Sequence, residues 1–429
     1  MIISFLICLC LFFYPQIHAE TSSSLGKMEN AWTEIGENNR LFVRAIFSNT
    51  IKCPEIKFEM SKESLTKNMK KRVNHNEKNF PVLVCEANVP KDTTSIILEG
   101  EHLPVLQNSP KKIVLIGDTG CRIKGKMVQD CFDKEKWPFQ KIAEEASKVK
   151  PDVILHLGDY HYRETACPAN HPGCIGAVYG DNWQSWKQDF FSPAHDLLLK
   201  SPVVFVRGDH ESCGRAGIGW FYFLEPRENP STCQKYSEPY AIQLGNKTLL
   251  NFDSSQVLDD KVDIKNVQEY SKEMSQLNKI KSLSRNIFVT HKPVWGIGVP
   301  RKKNLKEYSN KLKTKELQVV MNSNPFDSSF DLLLSGHVHL FQFISLGAKY
   351  PPQLISGESG TLIEYYEPKF VENMKIDDKK IEFIKTIREF GFSTLEFTGN
   401  EKMKTTIYDL QGTIISTCEI FNRKILCDK

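Results

Sequence analysis

Short apolar runs that each end in a glycine, an aspartate or a histidine set the pattern of the middle of this chain. Ile113-Val114-Leu115-Ile116 runs into Gly117-Asp118-Thr119-Gly120, and Val153-Ile154-Leu155-His156-Leu157 into Gly158-Asp159-Tyr160-His161-Tyr162. Val203-Val204-Phe205-Val206 leads to Gly208-Asp209-His210-Glu211, Asn286-Ile287-Phe288-Val289 to Thr290-His291, and Leu332-Leu333-Leu334 to Gly336-His337-Val338-His339. Runs that are apolar at every position suit strands buried on both faces. Between them, residues 137–148, 262–283 and 305–321 read as helices, the last with apolar residues at near-helical spacing. Strands alternating with helices predict an α/β architecture, with the polar motifs gathered outside the carboxyl ends of the strands.

The flanks read differently. Short β-rich runs at 41–47, 82–85 and 95–98 predict a small N-terminal β-sandwich, with the charged stretch 62–78 as an exposed excursion. Further strands at 341–344, 353–356, 392–397, 405–408 and 413–417 predict a second sheet packed on the first. The expected division is a leader at 1–19, a β-sandwich at 20–109 and a large α/β domain at 110–429.

The leader rests on the apolar run 2–14, which is too short to span a membrane and right for a signal-peptide core, and on Ile17-His18-Ala19 as a cleavage sequence. No later stretch reads as a transmembrane helix. A net charge of +4 over 429 residues argues against nucleic acid or an anionic membrane as the main partner. The clusters Lys70-Lys71-Arg72 and Arg301-Lys302-Lys303 read as solvated. Oligomeric state leaves no mark in the sequence. Two of the twelve cysteines, Cys8 and Cys10, fall in the leader. The others fall into neighbours: Cys53 with Cys85, Cys121 with Cys131, Cys167 with Cys174, Cys213 with Cys233, and Cys418 with Cys427. An even number in an exported chain favours disulfides, and so a secreted or periplasmic location. Asn246-Lys247-Thr248 is a glycosylation sequence.

The chemistry lies in the strand-end motifs. Asp118, Asp159, Asp209, His291, His337 and His339 are of the residue types that hold hard and borderline metals. Two cations about 3.5–4 Å apart need an anion between them, and Asp159, central in the motif order, is the candidate bridge. Two such ions polarise a phosphoryl group and lower the pKa of a bound water, so that hydroxide attacks phosphorus in line. Tyr162 adds a phenol, which keeps its proton to about pH 10 and suits a trivalent ion such as Fe³⁺ better than Zn²⁺ or Mg²⁺. His161, Arg163 and Arg215 are candidates to contact phosphate. His156 and Trp220-Phe221-Tyr222-Phe223 read as core.

These motifs, in this order, resemble the purple acid phosphatases within the calcineurin-like metallophosphoesterases. The resemblance covers roughly residues 110–365. It implies a four-layer α/β/β/α sandwich, preceded here by the small β-sandwich. It implies an Fe³⁺ site of Asp118, Asp159, Tyr162 and His339, and a site of Asp159, Asp209, His291 and His337 for Zn²⁺, Mn²⁺ or Fe²⁺. His210 would contact phosphate or protonate the leaving oxygen. The expected activity is hydrolysis of phosphomonoesters at acidic pH. A phosphodiesterase of the same superfamily, or an exported binding protein on the same fold, is the alternative. Two positions depart from the family pattern. Val289 is displaced by one residue, and Asp209 stands where the family has asparagine. A carboxylate at 209 should hold its metal more tightly and weaken the pull on an anionic substrate.

Overall fold

The computed structural model describes residues 26–227, 232–298, 311–312, 314–366, 374–399 and 401–428. The leader expected at 1–19, the basic cluster at 301–303 and the start of the helix expected at 305–321 lie outside the described residues.

Two stacked sheets, of eleven and seven strands, form the core. The centre of the first is Val153–His156, paired in parallel with Lys112–Ile116 on one side and Val203–Phe205 on the other. The centre of the second is Asn286–Thr290, parallel to Lys247–Phe252 and to Phe330–Ser335. The continuous apolar runs are explained by what each face meets. Ile113, Leu115, Leu155 and Val204 face between the sheets, against Ile287, Val289, Leu332 and Leu334. Their neighbours Val114, Ile116, Ile154 and Val203 pack against Phe139 and Ile142 of the helix Phe139–Lys148 and Leu197 of Ser192–Leu198. On the far side, Phe288 and Leu333 meet Tyr270, Met274 and Leu277 of Ile264–Ile280 and Leu317 and Val320 of Lys315–Ser323. The result is the four-layer α/β/β/α sandwich. Each such side chain contributes about 1.5–3 kcal/mol by leaving water. The longest helix starts where the Asp263 carboxylate accepts the backbone N–H of Lys265 at 2.8 Å, a side-chain cap for an otherwise unsatisfied donor.

The flanks differ from expectation in two respects. The strands Gly391–Phe397, Lys402–Asp409 and Ile414–Phe421 extend the first sheet, not the second, by antiparallel pairing onto Lys112–Ile116. Their alternation fits that place, since Phe392 joins the outer core and Leu395 the inter-sheet core. At the other edge, Lys27–Ile35 joins in parallel beside Val203–Phe205, and Leu41–Ser48 and Leu83–Asn88 follow antiparallel. The first sheet therefore runs across position 109/110. A four-stranded sheet covers this edge, with Ile56, Phe58, Ile96 and Leu98 packed against Val43, Ala45 and Phe47.

The stretch 62–78 is not wholly solvated. Arg72 is buried, pairs with Glu86 at 3.1 Å and donates to the carbonyls of Phe221 and Glu225. Arg44, fully buried, reaches the same segment and also meets Glu34 and Glu86. Trp220-Phe221-Tyr222-Phe223 forms a buried helix in the outer core. All five disulfides join the neighbours expected. Among the described residues no helix is long and apolar enough to cross a membrane.

Candidate metal centre

The strand ends turn sharply, and the turns aim the side chains. Asp118, Asp159 and His337 hold left-handed backbone, with φ of 56°, 60° and 70°. This conformation is rare outside glycine and is least costly for Asp, Asn and His. Gly158 and Gly208 have no room for a side chain. A Cβ at 158 would meet Nδ1 of His291 at 2.5 Å, and one at 208 would collide with the Asp159 carboxylate.

A first group of side chains converges on the Tyr162 hydroxyl. It donates within 2.8 Å of both Asp118 Oδ1 and Asp159 Oδ2 and lies 3.2 Å from His339 Nε2. A second group converges on Asp209 Oδ1, which lies 3.4 Å from His291 Nε2 and 3.2 Å from His337 Nδ1. Asp159 belongs to both, because its Oδ2 is also 3.2 Å from His291 Nε2. The potential ligand atoms of Asp159, Asp209, His291 and His337 lie within 4.8 Å of one another.

The donor chemistry fits metal ions. Each of the three histidines commits its outer nitrogen elsewhere: His291 Nδ1 to the Leu157 carbonyl at 2.7 Å, His339 Nδ1 to the Leu362 carbonyl at 3.0 Å, and His337 Nε2 to Asp259 at 3.1 Å. Such bonds fix the tautomer and leave the inner nitrogen as a lone-pair donor. Asp209 Oδ1 and His291 Nε2 are buried without any hydrogen-bond partner among the described residues. Buried polar atoms left unpaired are costly, and a cation between them would remove the cost.

Three further carboxylates hold the frame. Glu211, fully buried, accepts the backbone N–H groups of Gly208, Asp159, Tyr160 and His161 and so ties two of the turns together. Burial, together with the Asp159 charge, pushes its carboxyl up to about 8. Asp189 does the same for the backbone of Cys121, Tyr162 and Arg163. Glu164 bonds His210 Nδ1 at 2.6 Å and also pairs with Arg215 and Lys124. Burial works to raise Glu164, yet His210 and Arg215 hold it well below the usual carboxylate range. His210 itself is pushed by burial down to about 4, against the pull of Asp159 and Glu164.

The carboxylate at 209 has its own counter-charges. Its Oδ2 meets Arg215 at 2.5 Å, and Lys292 stands 3.9 Å from Oδ1 and 2.9 Å from Asp259. The structure thus brings together Asp118, Asp159, Tyr162, Asp209, His210, His291, His337 and His339. It does not bring the side chains of His161 and Arg163 to them. Both are 2% exposed; His161 bonds the Gly180 carbonyl, and Arg163 pairs with Asp189 at 2.5 Å. Arg215 holds Asp209 and Glu164 rather than facing a substrate. His156 is core, bonded to Thr119 and stacked on Tyr160. Asp259, Lys292 and Glu164 were not singled out by the sequence. Of these, Glu164, two residues beyond Tyr162, and Lys292, next to His291, carried a positional signal.

Residues 111–341 match the family model described as calcineurin-like phosphoesterase. The chain belongs to that family. Membership makes it a metallophosphoesterase with a phosphate-ester substrate, and the Asp and His cluster is where a dinuclear metal site falls. Among solved structures, this phosphoesterase is similar to the purple acid phosphatase PPD1 from yellow lupin (Lupinus luteus) seeds. The two share 13% identity at a TM-score of 0.59 over 91% of this chain and 74% of that one. It is also similar to PhoD, with 9% identity and a TM-score of 0.54 over 94% and 92%. GAP50, described as the anchor in the inner membrane complex of Plasmodium, aligns at 16% identity and a TM-score of 0.42 over 74% and 90%. No curated protein sequence matches the chain.

Proposed function

We propose that this phosphoesterase is an exported dinuclear-metal hydrolase of phosphomonoesters. In this reading Asp118, Asp159, Tyr162 and His339 hold Fe³⁺, and Asp159, Asp209, His291 and His337 hold Zn²⁺, Mn²⁺ or Fe²⁺. The observation that carries it is the sharing of Asp159 between two converging groups, one with a phenol and one without. Five disulfides and the lack of a membrane-spanning helix among the described residues fit an extracellular protein.

Two bound cations supply Lewis acidity, drawing charge from a phosphoryl group and offsetting that of the substrate. The chain's own residues do the rest. Asp159 separates the two positions with an anion. Since His210 Nδ1 is committed to Glu164 and the His161 carbonyl, its Nε2 is the nitrogen turned toward the centre, 3.8 Å from Asp159. It contacts the phosphate and, where acidic pH charges the imidazole, passes its Nε2 proton to the leaving oxygen, while Glu164 steadies the charged ring.

Natively purified protein is expected to hold two metals per chain, iron among them, with visible absorption from the tyrosinate. It is expected to cleave a phosphomonoester in preference to a diester. Faster diester cleavage would replace the substrate class. Absence of metal, with none taken up on reconstitution, would replace hydrolysis with a binding role.

Asp209→Asn tests the departure at that position. The amide keeps an oxygen for the cation but loses the charge, and Arg215 loses one of its two partners. The second metal is expected to dissociate about 10-fold more readily, read by metal titration of the stripped protein. Unchanged affinity would mean that Arg215 and Lys292 already cancel the carboxylate.

A further inference from the structure

Several arginines adjoin or closely follow the strand-end motifs in the sequence, and they differ in one respect. Arg163 is taken by Asp189, Arg215 by Asp209 and Glu164, and Arg207 by Asp253. Arg122 has no carboxylate within ion-pair distance among the described residues, and none of them accepts a hydrogen bond from its guanidinium. The side chain is half-buried. Its Cζ lies 4.2 Å from the centre of the Tyr162 ring, whose hydroxyl bonds Asp118 and Asp159. The same ring packs 3.8 Å from His210 and 5.9 Å from His339.

The backbone that carries it is fixed. Arg122 donates its N–H to the Gln129 side chain and accepts from the Gln129 backbone, and Ile123 donates to the Tyr162 carbonyl at 3.0 Å. The Cys121–Cys131 disulfide closes the same loop. An anchored backbone holding an uncommitted guanidinium against the ring of a metal-centre residue is a preorganised anion fork.

We propose that Arg122 anchors the substrate by gripping the non-bridging oxygens of a dianionic phosphomonoester. This rests on the hydrolase reading above and deepens it. A monoester offers more unsubstituted oxygens and more charge than a diester, so a guanidinium without an acid of its own favours the monoester.

The test is titration of inorganic phosphate into metal-loaded parent, Arg122→Ala and Arg122→Lys proteins, with metal content and melting temperature measured on the same samples. Arg122→Ala is expected to weaken phosphate by about 10- to 100-fold at unchanged metal content and melting temperature. Arg122→Lys should recover part of the loss. Turnover of a monoester at low concentration should fall with the phosphate affinity, and that of a diester by less. Phosphate affinity within about twofold of the parent, with the metals in place, overturns the role of Arg122 and leaves the hydrolase standing. Loss of metal from both variants overturns it too, because Arg122 would then only support Tyr162. A parent protein that binds neither metal nor phosphate overturns the hydrolase reading, and Arg122 with it.

Discussion

Asp159→Ala is expected to empty the centre of metal and to reduce phosphomonoester hydrolysis by at least about 1,000-fold. Among the described residues no other side chain stands in both groups. Its Oδ2 lies within reach of Tyr162 and His291, and its Oδ1 accepts the backbone N–H of His210 at 2.9 Å. Removing it takes away the anion between the two cations and loosens the turn that presents His210. Asp159→Asn separates the two effects, since the amide oxygen still accepts from His210 while the charge is gone. Elemental analysis with steady-state rates reads both variants, and an unchanged circular dichroism spectrum shows that the fold survives. A variant retaining two metals per chain would put the shared ligand elsewhere.

Arg44→Ala is expected to cost about 3–5 kcal/mol of stability, the usual effect of removing one partner of a buried charged pair. Arg44 and Glu34 are both fully buried and 3.2 Å apart. The guanidinium also donates to the carbonyls of Phe223 at 2.7 Å and Glu225 at 3.0 Å. Alanine would leave the Glu34 carboxyl and both carbonyls without that donor in a water-free place. Adding Glu34→Gln to Arg44→Met should recover part of the loss, because the uncompensated charge goes and the volume is refilled. Chemical denaturation measures the difference. A cost below about 1 kcal/mol would mean that water reaches the gap.

The strand-end motifs were legible because their strands are buried on both faces. Such strands read as unbroken apolar runs, and chemistry at their ends stands out against them. The disulfides were legible because each joins near neighbours. The strand Lys27–Ile35 was not, since Asn30, Thr33 and Glu34 are buried polar residues that break its alternation. Their partners come from Phe191, Pro104 and Arg44, which no local pattern reveals. The hairpin of Tyr240–Leu244 and Lys247–Phe252 did carry a signal in its Gly245-Asn246 turn. His161 and Arg163 were misplaced by proximity to Asp159 and Tyr162. Adjacent residues on a tight turn point apart, and Asp189, distant in sequence, captures the arginine. Asp259 reaches the centre across 78 residues from His337 and 33 from Lys292, distances at which only packing brings side chains together, whereas Lys292 adjoins His291.

The strand order of the first sheet also sets a timetable. Lys27–Ile35 is synthesised first, yet its parallel neighbour Val203–Phe205 comes much later, and Lys112–Ile116 waits longer still for Gly391–Phe397. Until those partners emerge, each strand presents an open edge, and non-local pairing of this kind is slow. The bridges keep a different schedule, because their sequence separations run only from 7 to 32 residues. Cross-linking of the loops around Tyr162 and Asp209 can thus finish before the sheet beneath them is closed, and a chain halted before residue 391 would carry stapled loops on an unfinished platform.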